Sequence, residues 1–409
     1  MLTVRSIVQT ARPSGFPDPA QFAIVEHQLG MPDGGALVEN LYLSVDPYMR
    51  QLMDGGWPLN EPLGEGRAIG RVIATNSQQF REGTLVYHTE GWSTHAALVA
   101  GQDSVRGLEP ADGIPLTNYL SVLGGTGLTA YVGVREILRL REGETVFITA
   151  AAGAVGGVAG QICRLLGAGR VIGSAGSAAK VRHVTHRLGF DAAFDYHDGP
   201  VAKLLAENAP GGIDATLDGV GGDHLEAAIE SSREFGRIAW VGGISYYNQY
   251  PDMEYRDVQG PDNTDGITLG QPPAPRNLYA VHYKSLTLRG YMVRHHVHLR
   301  EEAHAWLIPH LRSGALRADE QLVDGFEHTV GAFLGVLRGD NVGKTIVQIA
   351  NAPSHHPDPG RSDAAALAAP REMSSSAAPR ARRTGQSAGG HAHCRHNYDT
   401  VRNRQGDCG

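Results

Sequence analysis

Cysteine is scarce: only Cys163, Cys394 and Cys408 occur in 409 residues. The first 350 residues hold a single thiol and cannot close an internal disulfide, which suits a reducing compartment. Charge of one sign is missing too. The formal net charge is −7, so nothing global draws in nucleic acid or an anionic membrane. The excess is uneven: from Asn351 onward there are eight Arg and five acids, leaving residues 1–350 at −10. Met1-Leu2-Thr3-Val4-Arg5 shows no charged stretch followed by an apolar one, so a cytoplasmic protein is expected. One uncharged run, Val146 to Cys163, is long enough to raise a membrane question, but it is rich in Gly and Ala.

Glycine, by contrast, is abundant at 53 residues. Residues 1–118 read as short strands (36–45, 69–74, 84–87, 93–99) broken by Gly, Pro and Asp, the texture of an irregular all-β barrel. From about 119 the texture changes. A helix at 128–138 precedes a strand at 144–149. Strands at 170–173, 192–195, 215–217, 237–241 and 286–290 then alternate with helices at 155–166, 178–188, 200–209 and 222–231. Such alternation predicts an α/β fold with a doubly wound parallel sheet covered on both faces. Residues 249–276, with Gln271-Pro272-Pro273-Ala274-Pro275, break the rhythm and are expected to form part of a lid over the cleft. A helix (299–313), a strand (321–326), a short helix (330–337) and a last strand (344–349) follow. Residues 351–409 have almost no core-forming content and are expected to be disordered. A solvated extension, a non-native reading-frame product and an Arg-based nucleic-acid tail are the open readings of that segment.

The strongest local signal is Thr149-Ala150-Ala151-Ala152-Gly153-Ala154-Val155-Gly156, between a predicted strand and a predicted helix. That is the context of a dinucleotide-binding turn, with phosphates on the amides that open the helix. Gly153 allows close approach, Gly156 allows close packing, and Ala151 stands where the first Gly of the pattern usually sits. A Gly/Ala turn without a ligand is the alternative. An NAD-preferring site needs an acid about twenty residues on, at the end of the second strand. Here that place reads Gly173-Ser174-Ala175-Gly176-Ser177-Ala178-Ala179-Lys180. A carboxylate is absent, and Ser177 and Lys180 can donate to a 2′-phosphate, so NADP(H) is expected over NAD(H). An ordinary exposed helix lysine is the alternative for Lys180.

Several segments now converge: Val45-Asp46-Pro47-Tyr48-Met49-Arg50, the turn at Ala150–Gly156, Gly176-Ser177 with Lys180, Val220-Gly221-Gly222, Gly242–Asn248 and Gly339-Asp340-Asn341-Val342-Gly343-Lys344. Over residues 1–350 the chain resembles the zinc-free medium-chain dehydrogenase/reductases, and within them the alkenal/prostaglandin reductase branch with the curcumin and double-bond reductases. The resemblance implies a GroES-like distorted β-barrel catalytic domain at 1–118 and a Rossmann NADP-binding domain at 119–300. It further implies a return to the first domain at 301–350, and a homodimer paired through the Rossmann sheet. By the same resemblance, Ala152, Gly153, Ala154, Val155 and Gly156 hold the pyrophosphate. Ser177, Lys180 and Tyr196 hold the 2′-phosphate end. Gly243, Ile244, Ser245 and Asn341 line the nicotinamide side. One departure is Gly219, where the family commonly has Asn, so that contact is not carried over.

Zinc-dependent relatives need Cys and His ligands. No Cys precedes Cys163, and the segment that would bear Gly-His-Glu reads Gly64-Glu65-Gly66, so neither zinc site can be assembled. His295, His296 and His298 form a dense cluster, expected to be a polar loop rather than a metal site. The resemblance implies reduction of the C=C bond of an α,β-unsaturated aldehyde or ketone. Charge then develops on the carbonyl oxygen and calls for a preorganised donor. A phenol is a plausible one. Tyr48, after Pro47, and Tyr283, aligned with the tyrosine usually credited in the reductases, are the candidates; the alternatives are a residue covering the nicotinamide or packing in the cleft for Tyr48, and a strand-entry residue beside the dimer surface for Tyr283. Tyr246 and Tyr247 have weaker claims. A zinc-free quinone reductase and a non-catalytic NADPH-binding redox sensor are the rival functions. The partners expected are a small enone, enal or quinone, with no nucleic acid and no membrane.

Overall fold

The computed structural model describes residues 1–102, 104–248 and 274–350. The uncharged run that raised a membrane question divides between β8 (Thr145–Ile148), a turn and helix α3 (Gly156–Leu165). Among the described residues no helix is long and apolar enough to cross a membrane.

Strand β8 begins a six-stranded sheet with β9 (Arg170–Ala175), β10 (Ala192–Asp195), β11 (Ile213–Asp218), β12 (Ser232–Trp240) and β13 (Thr287–Gly290). All its pairings are parallel, and the order is β10-β9-β8-β11-β12-β13. That is the doubly wound order, which reverses between β8 and β11. Helices α4 (Ala178–His186), α5 (Val201–Asn208) and α6 (Gly222–Ser231) make the crossovers with α3. Small residues set how closely α3 can lie: a Cβ on Gly160 would sit 1.9 Å from the Phe190 ring.

The other lobe is a seven-stranded sheet, six strands in the order β14-β15-β3-β4-β5-β7 and β6 paired on β3. Its strands are β3 (Gly35–Ser44), β4 (Ala68–Thr75), β5 (Leu85–His88), β6 (His95–Val99) and β7 (Arg106–Leu108), joined by β14 (Glu320–Asp324) and β15 (Lys344–Gln348). The last strands therefore do return to the first sheet, with β15 antiparallel to β3. An antiparallel pair, β1 (Leu2–Gln9) and β2 (Phe22–Leu29), lies alongside and was not singled out in the sequence. Trp57, Trp92 and Phe333 pack edge to face at 5.4–5.5 Å and tie helix α9 (Thr329–Arg338) to this lobe.

Boundaries shift in two instructive places. Helix α2 runs from Gly125 to Val132 and then widens to a π-turn over Gly133–Ile137, where a straight helix from 128 was expected. Strand β12 begins at Ser232, five residues before the apolar run that announced it. The helices at 300–312 (α8, Arg300–Arg312) and 329–338 fall within a residue of expectation.

Inside the barrel lobe His88 is fully buried, Nε2 facing Asn40 Oδ1 at 2.8 Å while Nδ1 accepts from the Glu90 amide at 3.1 Å. Burial pushes its pKa down to about 3, so it folds neutral. The unfolded chain binds that proton from about pH 6.5 downward, so stability falls as pH drops through the window from 6.5 to 3. Urea unfolding at pH 7 and pH 5 should differ by about 2 kcal/mol from this group. His88→Gln should shrink that difference; an unchanged difference would remove His88 as its source.

Candidate active site

After β8, Thr149 Oγ1 donates to Asp218 Oδ1 (2.9 Å) and accepts from the Gly219 amide (2.9 Å), which fixes the end of β8 to the end of β11. Ala150 then takes a left-handed φ of 47°, and Ala151 N–H donates to Ser174 O at 2.9 Å. Ala151 fits because its neighbour is Gly173; a Cβ there would be 2.6 Å from that of Ala151. The loop closes tightly over Gly153 and Gly156, where a Cβ would stand 3.1 Å and 2.5 Å from Ala150 O. Helix α3 begins with no side-chain cap, so its amides face the turn Ala152–Gly156. This is the switch point of the sheet, and an anion fits it.

At the end of β9, Ser177 caps α4 by accepting from Lys180 N–H at 3.2 Å. The Tyr196 ring lies across Gly176, whose Cβ would be 2.9 Å from the phenol oxygen. Lys180 Nζ donates to Gly339 O, at the left-handed C-cap of α9. Burial lowers the Lys180 pKa, against the pull of Asp340. Ser177 and Lys180 meet through this cap, and Tyr196 lies against the neighbouring Gly176.

The loop after β12 is built on Asp218. Its buried carboxylate also accepts from the amides of Val220 (3.0 Å) and Gly221 (3.0 Å). Burial outweighs those bonds and lifts its pKa to about 6. Ile244 and Ser245 donate their amides to Gly219 O and Val220 O. Tyr246 is a structural residue here: its ring covers Gly221 and Gly243, and its hydroxyl accepts from the Gly222 amide at 2.6 Å. Burial raises Tyr247 to about 12. Asn248 Oδ1 accepts from Arg50 Nε at 3.2 Å, which brings this loop to the segment bearing Tyr48.

Tyr48 precedes the one-turn helix α1 (Met49–Leu52). Its hydroxyl donates to Glu65 O at 2.7 Å, and its ring carries the Arg67 guanidinium 5.0 Å from the centroid. Burial pushes the phenol above its ordinary pKa. Beneath them lies Asp46, which accepts from Lys344 Nζ (2.9 Å) and Ser44 Oγ (2.5 Å) and faces Arg67 at 3.3 Å. Burial works against its charge, but Lys344, Arg67 and Ser44 together hold its pKa at about 2. Lys344 follows Gly343, whose amide donates to Ala152 O at 2.8 Å, and Asn341 Nδ2 braces that turn through Gly343 O. The phosphate turn and Tyr48 are therefore three residues' contacts apart.

Tyr283 is not part of this grouping within the chain. It is 71% exposed on the short helix α7 (Tyr279–Tyr283), and Lys284 O beside it accepts from Phe235 N–H near the start of β12. That is the opposite end of the strand from the 241–248 loop. His295, His296 and His298 lie in a 3-10 turn, and among the described residues no three His, Cys, Asp or Glu side chains group as metal ligands. The expected lid falls mostly at 249–273, outside the described residues. Arg67, Asp218 and Lys344 were not singled out from sequence, although Lys344 closes a quoted motif.

The families that match are described as the N-terminal domain of oxidoreductase, over residues 5–106, and zinc-binding dehydrogenase, over residues 154–259. Prostaglandin reductase 1 of Mus musculus is 36% identical across 82% of this chain and 95% of its own length. This chain belongs to the medium-chain dehydrogenase/reductase family, in its alkenal/prostaglandin reductase branch. Another reductase of the branch, the 2-alkenal reductase (NADP(+)-dependent) of Nicotiana tabacum, is 32% identical over 82% of this chain and 94% of its own. CurA of Vibrio vulnificus, solved in complex with NADPH, superposes with a TM-score of 0.70 at 30% identity, covering 85% of this chain and all of that one. The medium-chain reductase fold thus holds a barrel lobe and a Rossmann lobe; here a buried ion pair anchors β15 inside the barrel lobe, one residue after Gly343 meets Ala152 of the Rossmann lobe. Lys344→Met should leave Asp46 short of a partner and cost about 3 kcal/mol or more in urea unfolding. Arg71→Met, which breaks the half-exposed pair with Glu39, should cost less than about 1 kcal/mol. Equal costs would mean that the Asp46 pair does not anchor β15.

Proposed function

We propose that the protein is an NADPH-dependent reductase of the C=C bond of α,β-unsaturated aldehydes and ketones, working as a cytoplasmic homodimer. The observation that carries the coenzyme is the acid-free end of β9, where Ser177, Lys180 and Tyr196 meet beside the uncapped start of α3. The reaction class is supported by relatives whose names are prostaglandin reductase and 2-alkenal reductase. Bound here, NADPH supplies the hydride for the β-carbon of the substrate. The chain's part is to bind, orient and balance charge. The turn Ala152–Gly156 takes the pyrophosphate on its amides. Ser177 and Lys180 neutralise the 2′-phosphate, with Tyr196 as a wall. Gly243, Ile244 and Ser245, stapled to Gly219 and Val220, line the nicotinamide side together with the turn that Asn341 braces. Tyr48 forms the barrel-side wall of the cleft.

A panel of a 2-alkenal, an enone and a benzoquinone with NADPH and NADH tests this reading. Turnover of the enal and enone to saturated products is expected, with NADPH preferred by about tenfold or more. Lys180→Ala should raise the KM for NADPH by about tenfold and leave NADH nearly unchanged. NADH matching NADPH in the wild type would refute the coenzyme assignment, and benzoquinone as the better substrate would favour a quinone reductase.

The homodimer reading rests on an open edge. Strand β13 ends the parallel sheet, and Phe235, Tyr279 and Tyr283 are about 70% exposed beside it. Such an edge invites pairing with a second copy, which gives Tyr283 an interface role. Light scattering should give twice the chain mass. Phe235→Asp should shift it to monomer; a monomeric wild type would defeat the idea.

A further inference from the structure

The reaction proposed above needs a donor for the carbonyl oxygen, and the two predicted tyrosines do not supply one in this chain. Tyr48 donates its hydroxyl to Glu65 O, and Tyr283 sits on the far edge of the sheet. Arg67, beside Tyr48, is a further donor within reach of the same cleft wall. One arm of its guanidinium faces Asp46 at 3.3 Å and its plane rests on the Tyr48 ring, so it is held on two sides. Its Nε and Nη2 make no hydrogen bond to any described residue, and its side chain remains 24% exposed. That free edge looks onto Gly125, the first residue of α2: a Cβ there would lie 3.1–3.3 Å from Arg67 Cζ, Nε and Nη2.

Helix α2 also starts without a side-chain cap, and the amides of Gly125 and Thr126 have no acceptor among the described residues. A cation set against the positive end of a helix is unfavourable unless an anion lies between them. We propose that Arg67 and the amides opening α2 form the oxyanion pocket, taking the carbonyl oxygen of the substrate as it becomes an enolate. The inference rests on the enone-reductase reading. In the step itself, the dihydronicotinamide is oxidised as its hydride bonds to Cβ. The C=C pair moves to join Cα to the carbonyl carbon, and the carbonyl pair moves onto oxygen. The C=O bond then re-forms as Cα takes a proton from water. Arg67 keeps its own proton throughout and is a catalytic residue by contact and charge.

The test uses 3-penten-2-one as substrate and crotonate, an unreactive carboxylate of the same shape, as a probe of the pocket. Arg67→Met should lower kcat/KM about 100- to 1000-fold, as loss of an oxyanion donor does. Most of that loss should fall on kcat, with NADPH affinity unchanged. Arg67→Lys should recover part of the rate. Gly125→Ala, which keeps the charge and suits a helix, should lower kcat/KM about tenfold or more by filling the pocket. Crotonate should inhibit the wild type and bind more weakly to all three variants. Folded, NADPH-binding Arg67→Met and Gly125→Ala enzymes with wild-type kcat/KM and crotonate affinity would overturn the proposal. So would a collapse of kcat in Tyr247→Phe with none in the Arg67 variants. Should Arg67→Met fail to fold, Arg67→Lys and Gly125→Ala decide by the same two readings. A wild type that binds NADPH but reduces no enal or enone defeats the functional reading instead, and crotonate binding still reports on Arg67.

Discussion

A single buried carboxylate, Asp46, fixes the return strand β15 to the segment bearing Tyr48, one residue beyond the point where Gly343 meets Ala152. Taking it out of water costs several kcal/mol and is tolerated only because its oxygens are filled by Lys344, Ser44 and Arg67. Lys344 is itself almost fully buried, so neither charge has another partner of similar quality to turn to. The pairing fixes where β15 enters the barrel lobe, and Val45 N–H to Thr345 O sets the register there. Immediately upstream, Gly343 meets Ala152 of the phosphate turn. Its φ of 69° and the Asp319 carbonyl, 2.0 Å from where a Cβ would be, leave room for no other residue. Cofactor turn, return strand and Tyr48 segment are thus positioned by contacts that need one another.

Close approach is the second constraint, and it is met by absent side chains. In the sequence, Ala151 stands where the pattern usually has its first glycine. In the structure the strained conformation falls on Ala150, and Ala151 has ordinary room because Gly173 on β9 gives way. The pattern was therefore legible, while the residue bearing the strain was not. That exchange depends on a glycine more than twenty residues away, and no local motif can report it.

The Rossmann half was the more readable for a physical reason. Its strands are covered on both faces, so they appear as short apolar runs, and 192–195 came out with its true bounds. The β1–β2 pair was not singled out, although Phe22–Leu29 alternates in exposure along most of its length. The Gly125-Thr126-Gly127 start of α2 lacks apolar periodicity and reads as loop. Strand β12 begins among Ser232, Arg233 and Glu234, which are polar because they run toward the open end of the sheet. In the site, residues that meet a ligand through backbone or a short cap were legible from motif. Arg67 was not, since a lone arginine before Ala68-Ile69-Gly70 looks like an ordinary strand flank. Its meaning comes from Asp46 and Tyr48 on one segment and Gly125 on another, which meet it only in the fold.

The same reasoning links the two ends of the coenzyme site. Lys180 reaches from α4 to Gly339 O, at the C-terminus of α9, where the helix dipole favours a cation. Gly339 opens the turn that ends in Gly343 and Lys344. Lys180 thus ties the start of α4 to the segment Gly339–Lys344, whose other end anchors Asp46 and, through it, Arg67 and Tyr48. The C-terminal return is a strip of chain with contacts on both lobes, Gly343 to Ala152 and Lys344 to Asp46.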